Sequence, residues 1–330
     1  MSIEKPDASD IRNHIAALKS SSWLGESRKW WVDFLFHFTD IQNTVNILEQ
    51  GKLLCRQTLE DTGLMVNDNA SPNVIIQTEP KWKEYVRLYF RPRTPTQYNN
   101  EGFRPITQRE LGGAHCPVPI YFLFDSQSVL CKQDSLFSEG SLATDTLPFK
   151  DASQFCELPF HYVYHDSWFN PLERATIVFH RHAEVIVPTY LELKYLRYIW
   201  CRSQAEYQTL MHLLSPDTWL KWEKKIGVGA KPNLFFRKWT FVENVDLSNK
   251  TIEVQFNRNT AAPGPFLVEV EITEKETATV YRWKDEHYKA DGTLTLSLEN
   301  LKHPENYTVK LLLEGQLAFS AKHIDDTVPF

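Results

Sequence analysis

Asp33-Phe34-Leu35-Phe36-His37-Phe38-Thr39-Asp40-Ile41-Gln42-Asn43-Thr44-Val45-Asn46-Ile47-Leu48-Glu49-Gln50-Gly51-Lys52-Leu53-Leu54 is the stretch from which the N-terminal part of the chain is read. Its opening predicts a strand over 33–39, in which alternation puts Leu35, His37 and Thr39 on one face and Phe34, Phe36 and Phe38 on the other. The Phe face is expected to be core, leaving His37 and Thr39 toward something polar. Asp40 suits the N-cap of a helix over 41–50 that stops at Gly51. Outward from this unit, strands are predicted at 84–90, 118–124, 176–187 and 195–202. A helix is predicted at 203–214, where Ser203 and Glu206 have capping-box spacing. Residues 126–170 show little periodicity and read as long loops, which in compact domains are often functional.

Two glycines and a proline at 227–232 mark the main compositional shift. Beyond it, short alternating runs at 251–256, 266–272, 277–283, 293–298 and 307–313 predict an antiparallel sandwich. The segment from Leu298 to Val309 resembles the late-strand corner of fibronectin-type and immunoglobulin-like modules. The fold class is therefore α+β, with a mixed domain over 1–225 and an all-β immunoglobulin/fibronectin-like sandwich over 232–330.

Composition narrows the chemistry. Twelve glycines in 330 residues is about half the usual share of roughly 7%, and neither G-x-G-x-x-G nor G-x-x-x-x-G-K-[ST] occurs, which disfavours a Rossmann dehydrogenase or P-loop NTPase. A net charge of −6 argues against coating nucleic acid or anionic membrane by bulk electrostatics. Five cysteines without C-x-x-C suit reduced thiols. With no apolar leader and no long apolar run, a cytoplasmic protein without membrane contact is expected.

Two further segments carry candidate chemistry. Read as a strand, Phe179-His180-Arg181-His182-Ala183-Glu184-Val185-Ile186-Val187 sets His180, His182 and Glu184 on one face. A carboxylate within so apolar a strand is costly unless paired. A solvent-facing strand edge is the bland alternative, and His161, His165, His180 and His182 with Glu184 offer a metal-dependent hydrolase as another. From Lys81 to Arg109 seven basic residues stand against two acidic ones, with aromatics interleaved. Basic side chains can track phosphates while aromatics stack bases, so a non-enzymatic single-strand binding module stays open beside a solvated basic face.

Together the segments resemble a family. His37-Phe38-Thr39-Asp40-Ile41-Gln42-Asn43, continuing Ile47-Leu48-Glu49-Gln50-Gly51-Lys52-Leu53-Leu54, is similar to the opening motif of DarT-type toxins. Tyr85-Val86-Arg87-Leu88-Tyr89-Phe90-Arg91-Pro92-Arg93-Thr94-Pro95 is similar to that family's V-P-x-Y-F-x-P-R-S-P segment, and Arg181 to Val187 to its A-E-F-L-V strand. Order and spacing agree over residues 30–215.

The resemblance implies an ADP-ribosyltransferase-like split β-sheet that cleaves NAD, with no metal, and attaches ADP-ribose to a base of single-stranded DNA or RNA. It also implies the toxin of a bacterial toxin–antitoxin or anti-phage system, with an antitoxin protein as partner. Glu184 and His37 become the expected catalytic residues. His37, Thr39, Asn43, Arg91 and Arg93 are expected to hold NAD, and Arg87, Tyr89 and Tyr98 to contact nucleic acid. The chain departs from the pattern in three places. Arg56 is the only arginine between Leu54 and Lys81 where the family has an additional catalytic one, Arg87 stands at the motif's proline, and S-P-M-L has become Thr94-Pro95-Thr96-Gln97. The sandwich lies outside the pattern.

Overall fold

The structure, a computed structural model, describes residues 3–109, 113–144 and 146–325. The N-terminal strands are β1 (Phe34–Asp40), β2 (Lys52–Leu54), β3 (Tyr85–Tyr89), β4 (Pro119–Asp125), β5 (Leu136–Phe137), β6 (Glu184–Pro188), β7 (Tyr190–Glu192), β8 (Leu196–Cys201) and β9 (Ile226–Val228). Seven of them form one sheet in the order β5-β6-β3-β1-β4-β8-β9, and β2 pairs with β7. All neighbours in the large sheet are antiparallel except β8 and β9.

The central strands are covered on both faces. In β4 every residue from Pro119 to Phe124 is buried, as a continuous apolar run demands. This revises the one-sided reading of β1, where Leu35 and Phe36 are both fully buried and Phe34 is only half-buried. Asp40 caps the helix Ile41–Gln50 by accepting from the Gln42 N–H, and Gly51, at φ +69°, closes it with an N–H bond to the Ile47 carbonyl. The helix Gln204–Leu213 begins on Ser203, whose hydroxyl accepts from the Glu206 N–H.

Two sequence expectations are corrected. Residues 176–187 are not one strand: Arg174–His180 is helical and β6 starts only at Glu184. Thr176, Ile177 and Val178 favour strand locally, but the segment is helical, burying Ile177 and setting Ala175, Val178 and Phe179, at helical spacing, along one cleft. Residues 126–170 hold the short helices Ser126–Leu130, Ala152–Glu157 and Phe160–Val163 and the strand β5, with irregular chain between them. Each is too short to leave a periodic signature in the sequence.

The remaining strands are β10 (Val242–Leu247), β11 (Thr251–Phe256), β12 (Phe266–Glu274), β13 (Val280–Tyr288), β14 (Thr293–Ser297), β15 (Asn306–Leu313) and β16 (Gln316–Ile324). They make two antiparallel sheets, β10-β11-β14 and β13-β12-β15-β16. The sequence reading had passed over β10 and β16. At the corner into β15, buried Tyr307 donates its hydroxyl to the Ser248 carbonyl in the β10–β11 turn.

The sandwich packs on the helix Gln204–Leu213 and its cap. Ser203 donates to the Val242 carbonyl at 2.7 Å, and the Thr209 hydroxyl accepts from the Ser320 N–H. Gly102 lies in this seam at φ +75°, where a Cβ would sit 2.8 Å from Trp239 Cβ and 3.1 Å from the Thr240 carbonyl oxygen. Gly102→Ala should therefore lower stability by about 2 kcal/mol, through both the left-handed backbone and the clash. The midpoint of urea denaturation checks this; an unchanged midpoint would contradict such close packing.

Candidate active site

The sheet parts between β1 and β3. These strands share the single register pair Phe36↔Tyr89, whereas β1 runs along β4 from Phe34↔Asp125 to Asp40↔Pro119. Backbone groups lose their ladder partners where strands diverge, and His37 Nδ1 meets one of them, the Arg87 carbonyl, at 3.1 Å. A carbonyl only accepts, so Nδ1 carries the proton and Nε2 is left as an acceptor. Burial pushes this imidazole down to about 4, the backbone hydrogen bond opposing, so it is neutral at physiological pH.

A cleft of about 710 Å³ opens at this parting, within the ~300–1,000 Å³ usual for small-molecule sites. Its walls include His37 and Thr39 from β1, Arg87 and Tyr89 from β3 and Glu184 from β6. Three adjacent strands thus bring together residues that are far apart in the sequence. Glu184, 2% exposed, lies in register with Tyr89. Its Oε2 accepts from the Leu142 N–H at 3.2 Å and lies 3.5 Å from Arg87 Nη1. Burial raises the Glu184 carboxyl above its ordinary value, against the opposing pull of Arg87 and the Leu142 N–H. Burial, with Glu184 beside it, also holds the Tyr89 phenol firmly protonated.

The other expected site residues divide. The Thr39 hydroxyl accepts from Asn43 Nδ2, and Asn43 also donates to the Asn67 carbonyl while its Oδ1 accepts from the Val66 and Asn67 N–H groups. Both line the cleft, but the Asn43 amide is fully engaged in building its wall. Arg91 and Arg93 do not line it. Arg91 is buried, donates to Asp166 at 2.8 Å and lies over the Trp31 ring, and Arg93 pairs with the same carboxylate. Pro92 and Pro95, on either side of Arg93 at φ +55°, belong to the turn that carries them there. Tyr98 is also off the cleft lining, half-exposed and edge-on to Phe236.

Thr96 and His182 line the cleft beside Glu184 and lie 3.4 Å apart. The sequence offers His182 only as a metal ligand on a strand face with Glu184 and gives Thr96 no binding role; the helical turn before β6 and the helix Pro95–Asn100 bring the two together. Arg56 also lines the cleft, which its sequence position alone could not show. Of the altered Thr94-Pro95-Thr96-Gln97, Thr94 caps the helix Pro95–Asn100, and buried Gln97 bonds to the Leu234 carbonyl and Glu101.

The four histidines offered as metal ligands go separate ways, His161 lying against the Tyr162 ring at 4.0 Å between centroids. His165 Nδ1 meets Arg181, His180 Nδ1 meets the Glu139 carbonyl and His182 Nδ1 meets the Val178 carbonyl. Among the described residues no three His, Cys, Asp or Glu side chains gather to hold a metal, and no helix is long and apolar enough to cross a membrane.

No curated protein matches the chain. Among solved structures it is similar to Thermus sp. 2.9 DarT in complex with NAD+, with 16% identity, a TM-score of 0.46, and coverage of 62% of this chain and 98% of that one. The same protein in complex with ADP-ribosylated ssDNA aligns at 17% identity and a TM-score of 0.48, covering 62% and 96%. Thermosipho africanus DarTG in complex with ADP-ribose aligns at 17% identity and 0.46, covering 66% and 53%. Residues 36–236, more than half of the chain, match the family described as ssDNA thymidine ADP-ribosyltransferase, DarT. The match spans β1, β3 and β6 with the whole cleft between them, and the chain belongs to the DarT family.

Proposed function

We propose that this protein transfers ADP-ribose from NAD to thymidine in single-stranded DNA. The observation that carries the reading is the buried carboxylate of Glu184, held 3.5 Å from Arg87 in the cleft that His37 also lines. The cleft's own groups suit a dinucleotide. Arg87 Nη2 is buried without a hydrogen-bond partner, and His37 offers an unprotonated acceptor for a ribose hydroxyl. NAD, when bound, supplies ADP-ribose with nicotinamide as leaving group. Positive charge develops on the ribose as that bond breaks, as in glycoside hydrolysis. Ionised Glu184 stabilises that charge and can accept the proton released by the attacking base nitrogen. Arg87 holds Glu184 in its ionised form, and Thr96 and His182 lie where the acceptor base would be received.

Family membership supports DNA over RNA as acceptor. In this reading the protein is a cytoplasmic toxin neutralised by an antitoxin protein, and the sandwich offers a docking surface for such a partner. The test is incubation with labelled NAD and single-stranded oligonucleotides of each base, in DNA and RNA, followed by mass spectrometry of the product nucleosides. Modified thymidine alone is expected. Label on RNA alone, or on no nucleic acid, would overturn the proposal.

A pH dependence follows from the site. The working form of Glu184 is the carboxylate, so kcat/KM should rise with pH along an acid limb. Burial places that limb above the ordinary glutamate value near 4.5. Arg87→Gln removes the charge that pulls the carboxyl down and should move the limb to still higher pH. A limb that stays put in the variant would show that Arg87 does not act through Glu184.

A further inference from the structure

Among the described residues two guanidinium groups line the cleft, and they are committed differently. Arg87 faces Glu184. Arg56 forks onto Asp68, with Nη1 2.8 Å from Oδ2 and Nη2 2.7 Å from Oδ1, and Glu60 stands 3.3 Å from the same group. Arg56 and Asp68 both line the cleft. The loop bearing Asp68 is tied down by polar contacts: Asn43 grips Val66 and Asn67, and Asn46 donates to the Leu64 carbonyl at 3.0 Å. Asp68 Oδ1 also accepts from the Ala70 N–H, which closes a local turn.

A carboxylate gripped by a guanidinium fork presents two oxygens in the geometry that a phosphate also offers. We infer that Asp68 is a built-in competitor for the ligand's diphosphate, holding the Arg56 fork until the diphosphate takes it over. The inference rests on the reading of the cleft as an NAD site and adds what that reading lacks, a donor for the diphosphate and a reason for a carboxylate beside it. Arg91 and Arg93, the donors expected from the sequence, are held by Asp166 outside the cleft. Asp68 then lowers affinity in two ways, by occupying the fork and by repelling a ligand of like charge. A purely structural ion pair has the opposite consequence, because breaking it would loosen the loop and weaken every ligand.

The test is calorimetric titration of the full chain with NAD, ADP-ribose and adenosine. Asp68→Asn keeps the side-chain oxygen that accepts from Ala70 and removes the charge. It should tighten NAD and ADP-ribose about three- to ten-fold and leave adenosine, which has no phosphate, unchanged. Asp68→Ser, which keeps an acceptor for the Ala70 N–H, should act in the same direction and guards against one variant folding badly. Arg56→Gln should weaken NAD and ADP-ribose without affecting adenosine. Unchanged or weaker ADP-ribose binding in both Asp68 variants, with wild-type protein binding normally, overturns the inference alone. Failure of the wild type to bind NAD and ADP-ribose alike overturns it together with the NAD reading.

Discussion

Glu184→Gln should transfer ADP-ribose about 10²- to 10³-fold more slowly than wild type, the loss expected when one key electrostatic group is removed from a preorganised site. The amide keeps the side chain's size and an oxygen that can accept from Leu142, but it can neither balance positive charge on the ribose nor take a proton. NAD binding should change far less than turnover, since Glu184 acts on charge that develops during the reaction. Stability should not fall. Desolvation already disfavours the carboxylate there, and Arg87, 3.5 Å away and 23% exposed at the side chain, can keep its charge toward solvent, so the loss of the pair is largely offset. Single-turnover transfer of label to an oligonucleotide, read beside the melting temperature, separates these outcomes. Transfer within a few-fold of wild type would remove Glu184 from the mechanism.

Arg202→Met should be the most destabilising change in the seam, at about 3–5 kcal/mol, because it strands two carboxylates without their cation. Arg202, Glu101 and Glu206 are 0%, 0% and 1% exposed at the side chain. Arg202 Nε donates to Glu206 at 2.9 Å and Nη1 to Glu101 at 3.4 Å, while its guanidinium lies 4.2 Å from the centre of the Phe241 ring. Glu101 also accepts from the backbone N–H groups of Phe236 and Arg237, where the chain leaves the first sheet for the sandwich. The network therefore joins both sheet systems, and its loss should make them unfold in separate steps. Replacing Arg202, Glu101 and Glu206 together by apolar residues of similar size should recover only part of the stability, since no buried charge is then left unpaired but the Phe236 and Arg237 N–H groups and the Gln97 amide lose their acceptor. Denaturant unfolding followed by two probes, one in each part, would show this; a single transition at the wild-type midpoint in Arg202→Met would refute it.

Local units were legible wherever side-chain chemistry acts over a few residues. The Asp40 cap, the Gly51 stop and the Ser203 cap depend on backbone groups within one helical turn, and each lies where the residues indicate. The long apolar strands were legible because burial on both faces requires continuous hydrophobic runs. Segments whose local preference opposed their environment were not. Arg174–His180 carries β-branched residues and reads as strand, yet it is helical, burying Ile177 and setting Ala175, Val178 and Phe179 along the cleft. Arg91 and Arg93 read as phosphate donors by residue type, but the turn through Pro92 and Pro95 delivers them to Asp166.

By itself the sequence, through its resemblance to the DarT family, pointed to Glu184 and His37 as the pair proposed here to carry the chemistry. It also determined that nucleotide recognition here does not run through a glycine-rich loop. What only the tertiary structure decided is which other side chains join that pair. The parting of β1 from β3 opens the cleft, sets the His37 tautomer through the Arg87 carbonyl and admits Arg87, Thr96 and Arg56 to its walls, while Arg91 and Arg93 stay outside. The physical reason is range. Caps and periodicity act between neighbours in sequence, whereas the partners of a buried charge are chosen by strands and loops that meet only after folding.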